Sequence, residues 1–147
     1  MKQRLLAVLA LAAIAGSAYA VLPGGAATGP ATIRITDFQT LYKRLGRGIG
    51  SREIEYARLY NRGPNRHVIG HEVMVCTYIG RTERTCGMTV VLPKGTLVVA
   101  GLLRSRLLYE LAIVGGTGLY DNARGTLTAT LIGISPRQDL LLFRLSG

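Results

Sequence analysis

The chain of 147 residues has no tryptophan, two phenylalanines, two cysteines, and only 8 acidic residues against 18 lysines and arginines. Two cysteines are too few for a disulfide-dense scaffold or a four-thiolate zinc site, although they suffice for one bridge. Beyond the N-terminus no apolar run reaches the roughly 20 residues that span a bilayer, which excludes a polytopic membrane protein. Charged residues make up 18% of the chain and hydrophobic ones 48%, so a single small domain with ample core material is expected, without disorder. The scarcity of acid leaves a formal net charge of +10. That excess would suit an anionic partner, yet the arginines are spread from Arg34 to Arg144 with no basic run and none of the aromatic interleaving of an RNA-binding sheet. Nucleic acid is therefore not an expected partner. The balance reads as a solvated basic surface, with weak association to anionic envelope surfaces as its other use.

The first twenty residues read as an address. Lys2 and Arg4 form a positive start, Leu5 to Ala15 an apolar stretch, and Ala18-Tyr19-Ala20 a small-x-small cleavage site. A signal peptide over 1–20 and a mature start at Val21 are expected, hence export to the periplasm or outside. The alternative is an uncleaved N-terminal anchor. No cysteine follows the cleavage site, which argues against a lipoprotein. Residues 21–30, rich in Gly, Pro and Ala, form a flexible leader to a domain over 31–147.

From Ala31 onward the apolar pattern has period two, or runs in short stretches bounded by Gly, Pro, Asn and Asp. Eight strands are expected: 32–38, 53–60, 68–78, 84–92, 96–103, 107–114, 125–132 and 139–145. Only Gln39–Arg44 reads as a helical turn. Short turn signals between consecutive segments, such as Pro93-Lys94-Gly95, describe an antiparallel meander. Eight short strands remove their edges most economically by closing into an up-and-down β-barrel of the calycin-like kind, wide enough for packed side chains or one small ligand. Strands 96–103 and 139–145 are apolar on both faces, so a homo-oligomer is expected, a trimer by preference.

Cys76 and Cys86 each lie five residues from Arg81, at the midpoint of the third hairpin. A hairpin symmetric about Arg81 sets them directly opposite one another, within reach of a disulfide. In an oxidising compartment a structural bridge is the expected reading. His67 and His71 would suit one metal ion on a helix, but four residues along a strand separate them by roughly 13 Å, so no metal is expected. Gly116-Thr117-Gly118 lacks the third glycine and the following helix of a dinucleotide fingerprint. No nucleophile elbow of the Gly-x-Ser-x-Gly type occurs. No cofactor is expected.

What remains is a scatter of charge on strands: Glu53, Glu55 and Arg58 on the second, Glu72 on the third, Tyr109 and Glu110 on the sixth, and Arg124 at the start of the seventh. Glu53, Glu55 and Ala57 share one face, and Ile54, Tyr56 and Arg58 the other. Glu110, between Leu108 and Ala112 on its own face, is either an outward solvated group or an inward one with a raised pKa suited to acid-base work.

Residues 101–126, with Leu111-Ala-Ile-Val-Gly-Gly-Thr-Gly-Leu-Tyr120 followed by Ala123-Arg-Gly125, resemble the signature of the allene oxide cyclase and dirigent protein superfamily. Supporting pieces are Arg58-Leu59-Tyr60, Ile69-Gly70, Cys76-Thr77, Leu92-Pro93-Lys94-Gly95 and Leu141-Leu-Phe-Arg-Leu145, in family order. The resemblance implies an eight-stranded barrel, usually trimeric, with an apolar ligand cavity. It also implies work on a hydrophobic small molecule, lipid-derived or phenolic, by isomerase-like cyclisation or dirigent-like stereoselective coupling. Leu103 stands where the cyclases carry a tyrosine, and Cys76 matches the cyclase cysteine that a bridge would here consume. Both departures point away from true allene oxide cyclase activity. Arg124 matches the arginine of the dirigent Ala-Arg-Gly and becomes the leading site candidate, with Glu110 or Tyr109 as proton donor and Arg58, Tyr56 and Leu103 as ligand contacts. The competing expectation is a non-catalytic barrel whose interior is filled and whose basic exterior binds anionic envelope material. Cavity volume separates the two.

Overall fold

The structure, a computed structural model, describes residues 32–61 and 67–146. The expected signal peptide and leader lie outside the described residues. Eight strands follow one another: β1 Thr32–Leu45, β2 Arg52–Tyr60, β3 Val68–Tyr78, β4 Arg84–Leu92, β5 Gly95–Leu103, β6 Leu108–Gly116, β7 Arg124–Ile134 and β8 Arg137–Ser146. A single 3-10 turn, Gly118–Tyr120, sits between β6 and β7. Each strand pairs antiparallel with its sequence neighbours, and β1 pairs with β8 from Thr32↔Arg144 to Thr36↔Leu140, which closes the barrel and leaves no edge. Among the described residues no helix is long and apolar enough to cross a membrane.

Alternation decides what is inside. Ile33 and Ile35 on β1, Leu59 on β2, Met74 on β3, Met88 and Val90 on β4, Leu97 and Val99 on β5, Leu111 and Ile113 on β6, Leu127 on β7, and Leu141 and Phe143 on β8 make one continuous core. Phe143, Leu141, Leu127 and Val90 are wholly buried, so the central layers of the barrel are filled by side chains. The third hairpin has the register its turn demands: every pair from His71↔Val91 to Tyr78↔Arg84 is symmetric about Arg81, and Cys76 faces Cys86. Their disulfide joins Cα atoms 4.1 Å apart and lies inside the barrel. Closing so short a loop contributes about 2 to 3 kcal/mol, and a bridge of this kind fits an oxidising compartment.

Gln39–Arg44 is not a helical turn. It continues β1, and Thr40 is an extra residue in the β1–β2 ladder: Gln39 pairs with Ala57 and Leu41 already with Tyr56. This bulge reverses the alternation. Before it the odd-numbered Ile33, Ile35, Asp37 and Gln39 face inward; after it Tyr42 and Arg44 share the inner face with Glu55 and Glu53.

Candidate functional site

An antiparallel meander puts alternate turns at opposite ends, and the two ends of the lumen differ. At the end bearing the β4–β5 and β6–β7 connections, an open pocket of about 290 Å³ is lined by Ile33, Ile35, Ile69, Leu92, Pro93, Lys94, Leu119 and Tyr120. Its one cation is Lys94. Gly116 and Gly118 let the chain pack closely beside the pocket, since a Cβ on Gly116 would run into the carbonyls of Thr96 and Tyr120 and one on Gly118 into that of Lys94, and the 3-10 turn delivers Leu119 and Tyr120 to its lining.

The other end is charged. Glu53, 4% exposed, gathers four side chains: its Oε1 accepts hydrogen bonds from the Tyr42 hydroxyl at 2.7 Å and from Tyr78, while Arg84 Nε lies 3.4 Å from Oε2 and Arg106 Nη1 3.9 Å from Oε1. Burial opposes ionisation of Glu53, but the Tyr78 and Tyr42 hydrogen bonds and the Arg106 and Arg84 charges outweigh it and hold the carboxyl below its ordinary range. Arg106 Nη2 bonds Glu55 at 2.6 Å, and Arg137 bonds Asp139 at 2.8 Å while donating to the Arg106 carbonyl at 2.6 Å. Arg44 and Arg106 lie over the rings of Tyr78 and Tyr42, at 4.4 and 4.8 Å from their centroids.

Between these ends sits a pair of carboxyls. Asp37 is one inward step beyond Ile35, roughly 7 Å along β1 from the pocket floor, and its Oδ1 accepts the backbone N–H of Asp139. It is hydrogen-bonded to Glu72, which is only 2% exposed and whose Oε2 has no partner among the described residues. Burial raises Asp37 to about 7 and lifts Glu72 well above the ordinary carboxylate range, the neighbouring Asp37 charge adding to the effect on Glu72. Burial and their mutual charge both oppose full ionisation, so the two carboxyls retain protons towards neutrality as a pair. Burial likewise raises Glu55 and Asp139 against the pull of Arg106 and Arg137. Tyr109, 8% exposed on β6, is pushed well above the ordinary phenol range by burial and then by the field of Glu72, Asp139, Asp37 and Glu55. Two carboxyls held towards their protonated forms and a neutral phenol thus lie within one another's field in the buried interior, a set able to donate and accept protons.

Of the residues singled out from sequence, Tyr109 and Leu103 line the interior. Glu110 does not: it is exposed on the outer face, because the more apolar set Tyr109, Leu111 and Ile113 takes the core side of β6. Arg58 is exposed and Tyr56 half-buried on the outer face of β2, where the Tyr56 ring stacks on His71 at 5.5 Å. Arg124 is exposed too, its Nη1 donating to the carbonyls of Val114 (2.7 Å) and Ala123 (2.9 Å), which ties the β6–β7 connection. These four do not converge on the lumen. Asp37 and Asp139 were missed, and Glu72, noted as one of the charges on the strands, was not singled out. Their signal was available: Ile33-x-Ile35-x-Asp37, Glu72-x-Met74-x-Cys76 and Asp139-x-Leu141-x-Phe143 each place a carboxyl in phase with an apolar face. No group of three or more potential metal ligands occurs among the described residues.

No protein-family model matches the chain, and no curated protein does. Solved structures do. A pyocyanin demethylase superposes with a TM-score of 0.67 at 21% identity, over 78% of this chain and 99% of that one. The pterocarpan synthase dirigent protein GePTS1 gives 0.55 at 18% identity, over 79% and 85%. The Diels-Alderase AbmU from Streptomyces koyangensis gives 0.60 at 17%, over 77% and 64%. The fold is thus the closed eight-stranded barrel of the allene oxide cyclase and dirigent type. At these identities the likeness is one of architecture.

Proposed function

We propose that this protein is an exported barrel that takes an apolar small molecule, lipid-derived or phenolic, into the pocket beside Ile35 and directs its cyclisation or stereoselective coupling. The carrying observation is the buried Asp37–Glu72 pair, with a Glu72 oxygen unpartnered among the described residues, one strand step below that pocket. A carboxyl buried without need weakens a fold, so such a pair marks chemistry rather than packing. Glu72 supplies a proton, Asp37 takes one up, Tyr109 polarises an oxygen of the ligand, and Lys94 orients an anionic group at the mouth. The names of the neighbouring barrels, a dirigent protein and a Diels-Alderase among them, support the same reading.

Native mass spectrometry of protein purified from its own host, with organic extraction of what is released, is expected to show one stoichiometric apolar compound. Ile33→Trp, which fills the pocket, should abolish uptake; Glu72→Gln should retain uptake and lose turnover. Protein that arrives empty and takes up no apolar fluorophore would favour the second reading, a filled structural barrel that binds anionic envelope material, for which the packed central layers speak.

Self-association belongs to the proposal. On the outer face of β3–β6, Val73, Val75, Val98 and Leu102 are exposed, and Glu110 is the one charged side chain among the described residues of those strands' outer faces. A trimer is expected by light scattering at micromolar concentration, and a monomer would remove this element.

A further inference from the structure

The four turns at the charged end share a feature that neither core nor lining requires. Each exposes a large apolar side chain in it or at its edge: Ile49 (74%) between β1 and β2, Ile79 between β3 and β4, Leu107 (65%) between β5 and β6, and Ile134 (83%) at the end of β7 before the turn to β8. At the opposite rim only Val68 does so among the described residues. Exposed apolar residues scattered singly need no explanation, but one on each turn of a single rim is a pattern. Cations accompany them. Arg47 and Arg81 are exposed and make no ion pair among the described residues, while Arg104 pairs with Glu83 at 2.8 Å. Glu83 is the sole acidic residue of these four turns.

We propose that this rim docks on an anionic lipid bilayer, with Ile49, Ile79, Leu107 and Ile134 in the interfacial layer and Arg47 and Arg81 at the level of the phosphates. The four apolar side chains stand on separate turns around a ring, with Leu108 and Ile132 also exposed near two of them, so apolar contacts are spread around the whole rim. A deformable lipid interface accepts separated anchors, and the unpaired cations beside them complement its negative surface potential. Docked this way the barrel stands on its charged end, with Arg106 and Arg137 near the headgroups and the apolar pocket open to water. The inference is independent of any catalysis.

The test is sedimentation of the full chain with vesicles of phosphatidylcholine and phosphatidylglycerol, against phosphatidylcholine alone. Binding to the mixed vesicles should fall with salt and weaken about tenfold or more in the Ile49→Glu/Ile134→Glu double variant. Residues 1–20 are themselves apolar, so the difference between parent and variant is the readout. Because the chain has no tryptophan, Ile49→Trp adds a unique reporter; its emission should shift to the blue on mixed vesicles and be quenched by brominated lipid chains. Equal binding by parent and double variant, or an unshifted indole, would overturn the proposal. Lipid-free self-association that the double variant abolishes would overturn it also, by assigning the rim to a second copy of the chain.

Discussion

The inner and outer faces of the barrel are cut from the same eight strands, yet they carry opposite chemistry. Five of the eight acidic residues, Asp37, Glu53, Glu55, Glu72 and Asp139, are buried inside. Glu83, Glu110 and Asp121 remain for the exterior, against Arg34, Lys43, Arg47, Arg52, Arg58, Arg81, Lys94, Arg104, Arg124 and Arg144. The exterior is therefore more basic than the net charge suggests, and the lumen is acidic in spite of it. Inside, a carboxyl survives by bonding an arginine or by keeping its proton; outside, an arginine needs only water. Substitutions on the two faces should consequently differ in size and in pH dependence.

The largest contrast is expected between Glu53→Ala and Glu110→Ala. Removing Glu53 strands Arg84 in the interior without a countercharge and should cost about 3 to 5 kcal/mol, whereas Glu110→Ala should stay within about 0.5 kcal/mol; urea unfolding of the two variants measures both. Equal effects would break the division between faces.

Asp37→Asn should sharpen it. With Asp37 raised from 3.8 to about 7, the native state holds a proton that the unfolded chain has released, so stability is full below about pH 4 and falls as pH rises towards 7. Glu72, also raised, adds to the loss, while Glu53, held low, opposes it only at acid pH. The asparagine variant should flatten the urea midpoint against pH and gain about 1 to 4 kcal/mol above neutrality. An unchanged slope would show that the pair is not the titrating element.

A smaller effect than from either interior carboxyl is expected from Arg124→Ala. Two carbonyls of the β6–β7 connection lose their donor, worth about 1 kcal/mol, and ligand uptake should be unchanged. Lost uptake would return Arg124 to the binding site and bring the outer face into the function.

Much of the fold was legible because short turns leave consecutive strands little choice of partner. The position of Arg81 midway between Cys76 and Cys86 suffices to set the β3–β4 register. The face that turns inward was harder wherever both sides of a strand are mixed. On β2 the inner set includes Glu53 and Glu55, and the outer set includes Ile54 and Tyr56, so polarity alone favoured neither. The site was less legible still, because its carboxyls come from β1, β2, β3 and β8 and meet only through closure of the barrel. Arg106 and Arg137, which reach Glu55 and Asp139, stand in and beside turns whose direction no period reveals.

The extra residue at Thr40 bears on how such a lumen is rewritten. Deleting that one residue would leave every later pair in place, Leu41 opposite Tyr56, Tyr42 opposite Glu55 and Arg44 opposite Glu53, and would only make the ladder continuous. Keeping Thr40 but pairing it regularly with Tyr56 would instead slip the strand end by one residue, turning Tyr42 and Arg44 to solvent and bringing Leu41 and Lys43 inward against Glu55 and Glu53. The lining of one mouth is thus held by a single irregular residue, and the same side chains in the same order could present either face.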